Sequence, residues 1–320
     1  MIPNPGKLAT HSSHLIAIVG PTGAGKSALA IRLAQDLRPV FPGEIVNCDS
    51  LQLYRGFDIG TAKTPVWQQA GIAHHMIDVL DPGEITSAGE YARTAREIIA
   101  AISARGHLPI IVGGTGFYLK ALLDGLPHLP ERDESIRARL AQREARRPGS
   151  LHRLLRRLDP QAAARMHARD VQKLTRALEI RMLTRAPAPA TDHAKALAGY
   201  TISKLGLNPD RRALYELLDA RVVEMFRSGL LDEVRNLLDS GCTGREKPFE
   251  SLGYKQALAH LRGEMTLSDA IAATQIETRQ YAKRQWTWFR RDKQIHWLDG
   301  FGNSVETQNS AIEIVRRVLN

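Results

Sequence analysis

The sequence predicts an α/β fold: a parallel sheet flanked by helices, with an all-helical domain inserted into it. Three observations carry this prediction. Short apolar runs alternate with segments of helical periodicity at both ends of the 320-residue chain. A glycine-rich loop joins the first of those runs to the first helix. Between residues 126 and 200 the strand signal vanishes and arginine dominates. At one domain per ~150 residues, the length fits about two domains.

Taken in order, Leu15 to Val19 is an apolar run the size of a buried parallel strand. Gly20 to Gly25 interrupts it, and from Lys26 onward Ala28, Leu29, Ile31, Leu33 and Ala34 recur with helical period. Glu44 to Asn47 predicts a second strand that ends at Asp49 and Ser50. Ser87-Ala88-Gly89-Glu90 has capping-box spacing, predicting a helix through about Ala104. Leu108 to Val112 predicts a strand running into Gly113-Gly114-Thr115-Gly116.

Across 126–200 there are 14 Arg and two Lys against eight acids, an excess of eight positive charges. Asp133, Ser150, Asp159 (before Pro160) and Asp170 stand where helix N-caps belong. The Pro-rich stretch Ala186-Pro187-Ala188-Pro189-Ala190 closes the segment. Strand character returns near Thr201 to Leu207. Long helices follow from Asp210, broken by Gly241-Cys242-Thr243-Gly244 and by a short strand near Ile295 to Leu298. The expected layout is a discontinuous core, 1–125 with 201–320, and a basic helical insertion at 126–200.

Lys and Arg total 44 against 34 acids, a net charge of +10 and a pI near 9.8, which favours a polyanionic partner. No stretch approaches the ~18 apolar residues of a membrane span, and Met1 to His14 lacks an apolar signal region, so no membrane is expected. Cys48 and Cys242 are the only cysteines, excluding a disulfide scaffold and a cysteine-built zinc site. A reducing cytoplasm is the expected location. His74 and His75 lack a third ligand at a recognisable spacing, so a structural role is expected for them.

Gly20-Pro21-Thr22-Gly23-Ala24-Gly25-Lys26-Ser27 fits the phosphate-loop pattern G-x-x-x-x-G-K-[ST], with a predicted strand before it and a helix after. Its glycines let successive N–H groups curl round an anion at a helix N-terminus. Lys26 adds a point charge, and the Ser27 hydroxyl is placed to ligate Mg²⁺. The pattern specifies a di- or triphosphate without specifying what carries it. The strand ending at Val112 runs into glycines and carries no carboxylate. Asp49 is then the carboxylate expected to face the loop, since ligands of such sheets bind at strand C-termini. Metal anchor, general base and simple cap are all open to it.

The phosphate loop followed by Asp49-Ser50-Leu51-Gln52-Leu53-Tyr54-Arg55-Gly56-Phe57-Asp58-Ile59-Gly60-Thr61-Ala62-Lys63 resembles the tRNA dimethylallyltransferases, also called tRNA isopentenyltransferases. So do His74-His75-Met76-Ile77-Asp78, Gly113-Gly114-Thr115-Gly116-Phe117-Tyr118, Gly253-Tyr254-Lys255 and the run from Arg279 to Trp288. The matches extend from about residue 15 to 298. Glu250, before Ser251, and Thr64, where proline is commoner, depart from the family pattern.

The resemblance implies a phosphate-loop (P-loop) NTPase-like core. It also implies transfer of a dimethylallyl group from dimethylallyl diphosphate to N6 of adenosine 37, beside the tRNA anticodon. On this basis Asp49 is the base, Thr115 contacts the reacting adenosine and Arg221 reaches the diphosphate. Contacts to tRNA fall to Asp49, Ser50, Leu51, Gln52, Thr115, Arg137, Gln172, Lys173, Leu174, Thr175, Arg176, Ser251, Leu252, Gly253, Tyr254 and Lys255. The basic insertion would grip the anticodon stem-loop while the base is turned out of its stack; one chain per tRNA, a monomer, suffices. In the helix expected from Asp170, Val171, Leu174, Leu178 and Met182 form an apolar stripe, with Gln172, Thr175 and Arg176 on another face. The aromatics of the carboxy-terminal helix, Tyr281, Trp286, Trp288 and Phe289, are expected to pack in the core with the basic residues outward. A P-loop nucleotide or small-molecule kinase and an RNA-binding ATP switch are the competing readings. The carboxylate-free strand end weighs against the kinase, and the lack of an evident water-positioning residue weighs against the switch.

Overall fold

The computed structural model describes residues 13–127, 129–185 and 195–319. The Pro-rich stretch at 186–190 lies outside them, as do all but the last two residues of the stretch Met1 to His14 that is read as lacking a signal region. The chain divides into two compact units, one made of its two ends (up to Leu123 and from Leu197) and one of Asp124–Ala196.

The larger unit begins β1 (Ser13–Val19), α1 (Lys26–Leu37), β2 (Gly43–Asn47), β3 (His74–His75), α2 (Ala88–Ala104), β4 (Leu108–Val112) and α3 (Gly116–Leu123). The smaller holds α4 (Glu134–Arg146), α5 (Ser150–Leu158), α6 (Pro160–Ala164) and α7 (Val171–Thr184). The larger then resumes with β5 (Tyr200–Asn208), α8 (Arg211–Arg227), α9 (Leu230–Asp239), α10 (Tyr254–Leu261), α11 (Leu267–Phe289), β6 (Ile295–Asp299) and α12 (Val305–Leu319).

The six strands form one parallel sheet in the order β3-β2-β4-β1-β5-β6. In β1, flanked by β4 and β5, Ile16 faces Ile110 and Ile18 faces Val112. Because side chains alternate across a strand, Ile16, Ile18, Ile110, Val112, Leu205 and Leu207 share one face. That face is covered by Leu29 and Leu33 of α1 and by Ala311, Ile312 and Val315 of α12. All C-terminal strand ends therefore open on the same edge, where the phosphate loop lies.

Strand β3 was not predicted. It is two residues long, polar, and exists only because Ile45 and Val46 of β2 pair with it. His75 Nε2 donates to the Glu44 carboxylate at 2.6 Å, and His107 and Arg105 bind the same group. Burial raises the pKa of Glu44, but these three partners outweigh it and hold the carboxyl down at about 2. His74 Nδ1 donates to Ile72 O. Both histidines serve the edge of the sheet, and among the described residues no group of three or more His, Cys, Asp or Glu is placed to hold a metal ion.

In the smaller unit Asp133, Asp159 and Asp170 cap α4, α6 and α7, the side chain of each accepting a backbone N–H. Ser150 does not cap α5. Gly149 holds that position in the left-handed region, and the Glu144 carboxylate accepts from Gly149 N, Leu151 N and the Ser150 hydroxyl. A longer side chain from the preceding helix has displaced the local cap. The apolar stripe of α7 is narrower than expected. Leu174, Ala177 and Leu178 are buried with Ile136, Leu140, Leu151 and Leu155, while Val171 and Met182 are exposed.

Candidate active site

The strand-to-helix loop Gly20 to Gly25 forms the cradle read from the sequence. Gly25 stands before α1 with φ +86°, and a Cβ there would lie 2.9 Å from Gly302 N, so both conformation and close approach exclude a side chain. The loop rests on the turn after β6, with Gly302 N donating to Ala24 O at 2.8 Å. No side chain caps the start of α1, so its first N–H groups face the cleft. Lys26 Nζ donates to Pro21 O at 2.8 Å. Burial, opposed by Asp49 and reinforced by Arg221, lowers the Lys26 pKa to about 8.

A cavity of about 450 Å³ opens over this loop. Lys26, Ser27, Asp49, Gln52 and Arg221 line it, with Ile45, Ile77, Val112 and Leu217 as apolar wall. Helix α8 brings in Arg221. Burial lowers the guanidinium pKa while Asp49 opposes that shift, and among the described residues Arg221 forms no ion pair. The Ser27 hydroxyl shares the cavity with the Asp49 carboxylate, an all-oxygen donor set suited to Mg²⁺.

Asp49 is held from every side except one. The side chain of Asn47 accepts Asp49 N–H through Oδ1 and donates to Asp49 O through Nδ2, both at 3.0 Å. Thr115 grips both neighbours: its N–H donates to Cys48 O at 3.2 Å, and its hydroxyl oxygen accepts Ser50 N–H at 3.1 Å. Asp49 Oδ1 accepts Leu51 N–H at 3.0 Å. Among the described residues the second carboxylate oxygen accepts no hydrogen bond. Tyr281 of α11 lies against Thr115, and burial together with Asp49 pushes its hydroxyl pKa well up, keeping it neutral.

The structure therefore gathers the phosphate loop, Asp49, Ser50, Gln52, Thr115 and Arg221 around one edge of the sheet. Other predicted contact residues are placed differently. Tyr254 is wholly buried: its ring packs on Phe57 and its hydroxyl accepts Gly60 N–H and donates to Glu233, fastening the segment after Asp49. Gly253 is buried beside it, Ser251 and Leu252 are half-buried, and Lys255 pairs with Glu277 at 2.5 Å. Leu174 is core. Arg137 and Arg176 both bind the fully buried Glu179, at 2.8 and 2.6 Å, so two guanidiniums share one carboxylate. Gln172 and Lys173 are exposed and Thr175 is half-buried. Of the α11 aromatics, Trp286 and Phe289 are buried, Tyr281 is half-buried and Trp288 is exposed.

Sequence reading missed Asn47 and Gln285. Asn47, two residues before Asp49, had an Asx-turn spacing that could have signalled it. Gln285 sat inside a recognised run with nothing local to distinguish it. Lys63, also within a recognised run, is nearly buried and ties Asp58 and Asp78 to the Tyr54 carbonyl beside the cavity.

Fold and site together define a phosphate-loop α/β protein whose cradle faces a positioned carboxylate and an unpaired arginine. The family model described as IPP transferase matches residues 52–292, and the chain belongs to that family. It is 57% identical to the tRNA dimethylallyltransferase of Solibacter usitatus, over 95% of this chain and 99% of that one. It is 47% identical to that of Koribacter versatilis, over 94% and 98%. A crystal structure of the tRNA isopentenylpyrophosphate transferase of Bacillus halodurans superposes with a TM-score of 0.69 at 35% identity, covering 96% of this chain and 95% of that one. A eukaryotic dimethylallyltransferase, in crystallographic snapshots described as acting on tRNA, gives 0.75 at 28% identity, covering 96% and 80%.

Proposed function

We propose that this protein transfers a dimethylallyl group from dimethylallyl diphosphate to N6 of adenosine 37 of tRNA, releasing diphosphate. The observation that carries the reading is the pairing, in one cavity, of an anion cradle with a carboxylate whose backbone is pinned and one of whose oxygens has no hydrogen-bond partner among the described residues. The cradle N–H groups and Lys26 bind the diphosphate, and Ile45, Ile77, Val112 and Leu217 offer apolar surface to the five-carbon chain. As the bond between N6 and C1 of the chain forms, the bond from C1 to the diphosphate oxygen breaks. Asp49 takes the N6 proton, a contribution of ~10²–10⁴-fold. Charge growing on the leaving diphosphate is met by Arg221. Mg²⁺ held by Ser27 would supply further positive charge to the diphosphate oxygens.

Arg139, Arg143 and Arg146 of α4 and Arg147, which follows it, are exposed, form no ion pair among the described residues and are suited to tRNA phosphates. One chain supplies cradle, carboxylate and cation, in keeping with action as a monomer, and a tRNA substrate is in keeping with a cytoplasmic location. No helix among the described residues is long and apolar enough to cross a membrane.

The test is purified protein with Mg²⁺, unmodified tRNA and either labelled dimethylallyl diphosphate or γ-labelled ATP. Label entering tRNA from the prenyl donor is expected; γ-phosphate transfer or release alone would discard the reading. Asp49→Ala should slow turnover by ~10²-fold or more with tRNA affinity almost intact. Normal turnover with lost affinity would make Asp49 a docking residue instead.

A further inference from the structure

Helix α11 reaches into the site with a side chain, Gln285, that is 5% exposed and bonded at both ends. Its Oε1 accepts Thr22 N–H at 2.7 Å, and its Nε2 donates to Gly114 O at 2.9 Å. Thr22 belongs to the cradle. Gly114 directly precedes Thr115, which grips the residues on either side of Asp49. A single amide plane thus spans the interval between the group that holds the leaving diphosphate and the turn that fixes the base.

The glycine at 114 is there to admit it. A Cβ at that position would lie 2.0 Å from Gln285 Nε2, and its three nearest atoms would all belong to the Gln285 amide. The residue type also follows from the bonding. The cradle presents a donor and the turn presents an acceptor, so the bridge must accept at one end and donate at the other, which a carboxamide does and an ionised carboxylate does not.

We propose that Gln285 is a positioning residue for the transfer reaction. It sets the separation between the diphosphate cradle and Asp49, and it touches neither substrate. The assignment rests on the function proposed above, where N6 bonds to the same carbon that the diphosphate oxygen leaves. In such a displacement a misplacement of ~1 Å costs on the order of 10²-fold in rate.

The experiment compares the full-length protein with Gln285→Ala, Gly114→Ala and the double variant. It measures kcat and KM for tRNA and dimethylallyl diphosphate, with kcat normalised to the folded fraction by circular dichroism. Each single change is expected to lower kcat at least ~10-fold while KM for tRNA stays within ~3-fold. The double variant should fall no more than ~3-fold below Gln285→Ala, because the added methyl then has no amide to displace. Three results would overturn the assignment: kcat near the parent value in either folded single variant, loss confined to KM for tRNA, or losses that multiply in the double variant. If Gln285→Ala fails to fold, Gly114→Ala decides by the same kcat criterion. A parent protein that transfers no prenyl group would sink the proposed function itself, and this assignment with it. An active parent whose variants match it sinks this assignment alone.

Discussion

Replacing Glu179 with glutamine probes what holds the basic unit together. The carboxylate is wholly buried and accepts from Arg137 Nε at 2.8 Å, from Arg176 at 2.6 Å and from Asp133 N at 2.8 Å. Burial raises its pKa, but Arg137 and Arg176 outweigh that and bring it from an ordinary 4.5 to about 2. A carboxyl lowered that far on folding contributes about 3 kcal/mol at neutral pH. Truncating one partner of a buried ion pair costs a similar ~3–5 kcal/mol. The arginines keep some access to water, 20% and 30% for their side chains, which favours the lower figure.

Hydrogen exchange of the intact protein reads this out: amides of α7 should exchange roughly a hundredfold faster in Glu179→Gln. The folded pKa lies below the unfolded one, so the contribution is present above pH ~4.5 and is lost as pH falls toward ~2. The parent should show that acid sensitivity and the variant should lack it. Since Arg137 and Arg176 are released from their partner, tRNA affinity should hold or rise while stability falls. An exchange change below ~5-fold, or an unaltered acid profile, would refute the ledger and make the buried pair a break-even arrangement.

Two further outcomes follow from the site. With a pKa of about 8, Lys26 is largely neutral at pH 8.5, and a diphosphate in the cradle favours its charged form. Binding of dimethylallyl diphosphate should take up ~0.5–0.8 proton at pH 8.5 and almost none below pH 7; titration calorimetry in buffers of different ionisation enthalpy measures it, and zero uptake at pH 8.5 contradicts the burial argument. Asn47→Leu removes partners from Asp49 N, Asp49 O and Met76 O, so it should cost about 2–3 kcal/mol in urea unfolding and lower kcat as well. Unchanged turnover in a destabilised variant would confine Asn47 to a structural role.

Much of this protein was legible in its residues because the relevant physics is local. The phosphate loop needs only glycines, a lysine and a hydroxyl in fixed order between a strand and a helix. The capping box at Ser87 and the aspartates at 133, 159, 170 and 210 act on backbone groups three residues away. Five of the six strands were legible as short stretches of strand character, and Asp49 followed from its place just after one of them. Each of these signals lies within a few residues of what it determines.

Contacts between distant segments were decided by tertiary structure alone. Gln285 meets Thr22 across 263 residues and Gly114 across 171, and no window of sequence contains both ends of either bond. β3 has no pattern of its own and is a strand only through β2. Tyr254 looked like a contact residue and became a buried fastener, while Arg137 of α4 was claimed by Glu179, 42 residues away on α7. Hydrogen-bond partners and burial belong to pairs of segments brought together by the sheet and helices, so they become definite only when the chain has folded.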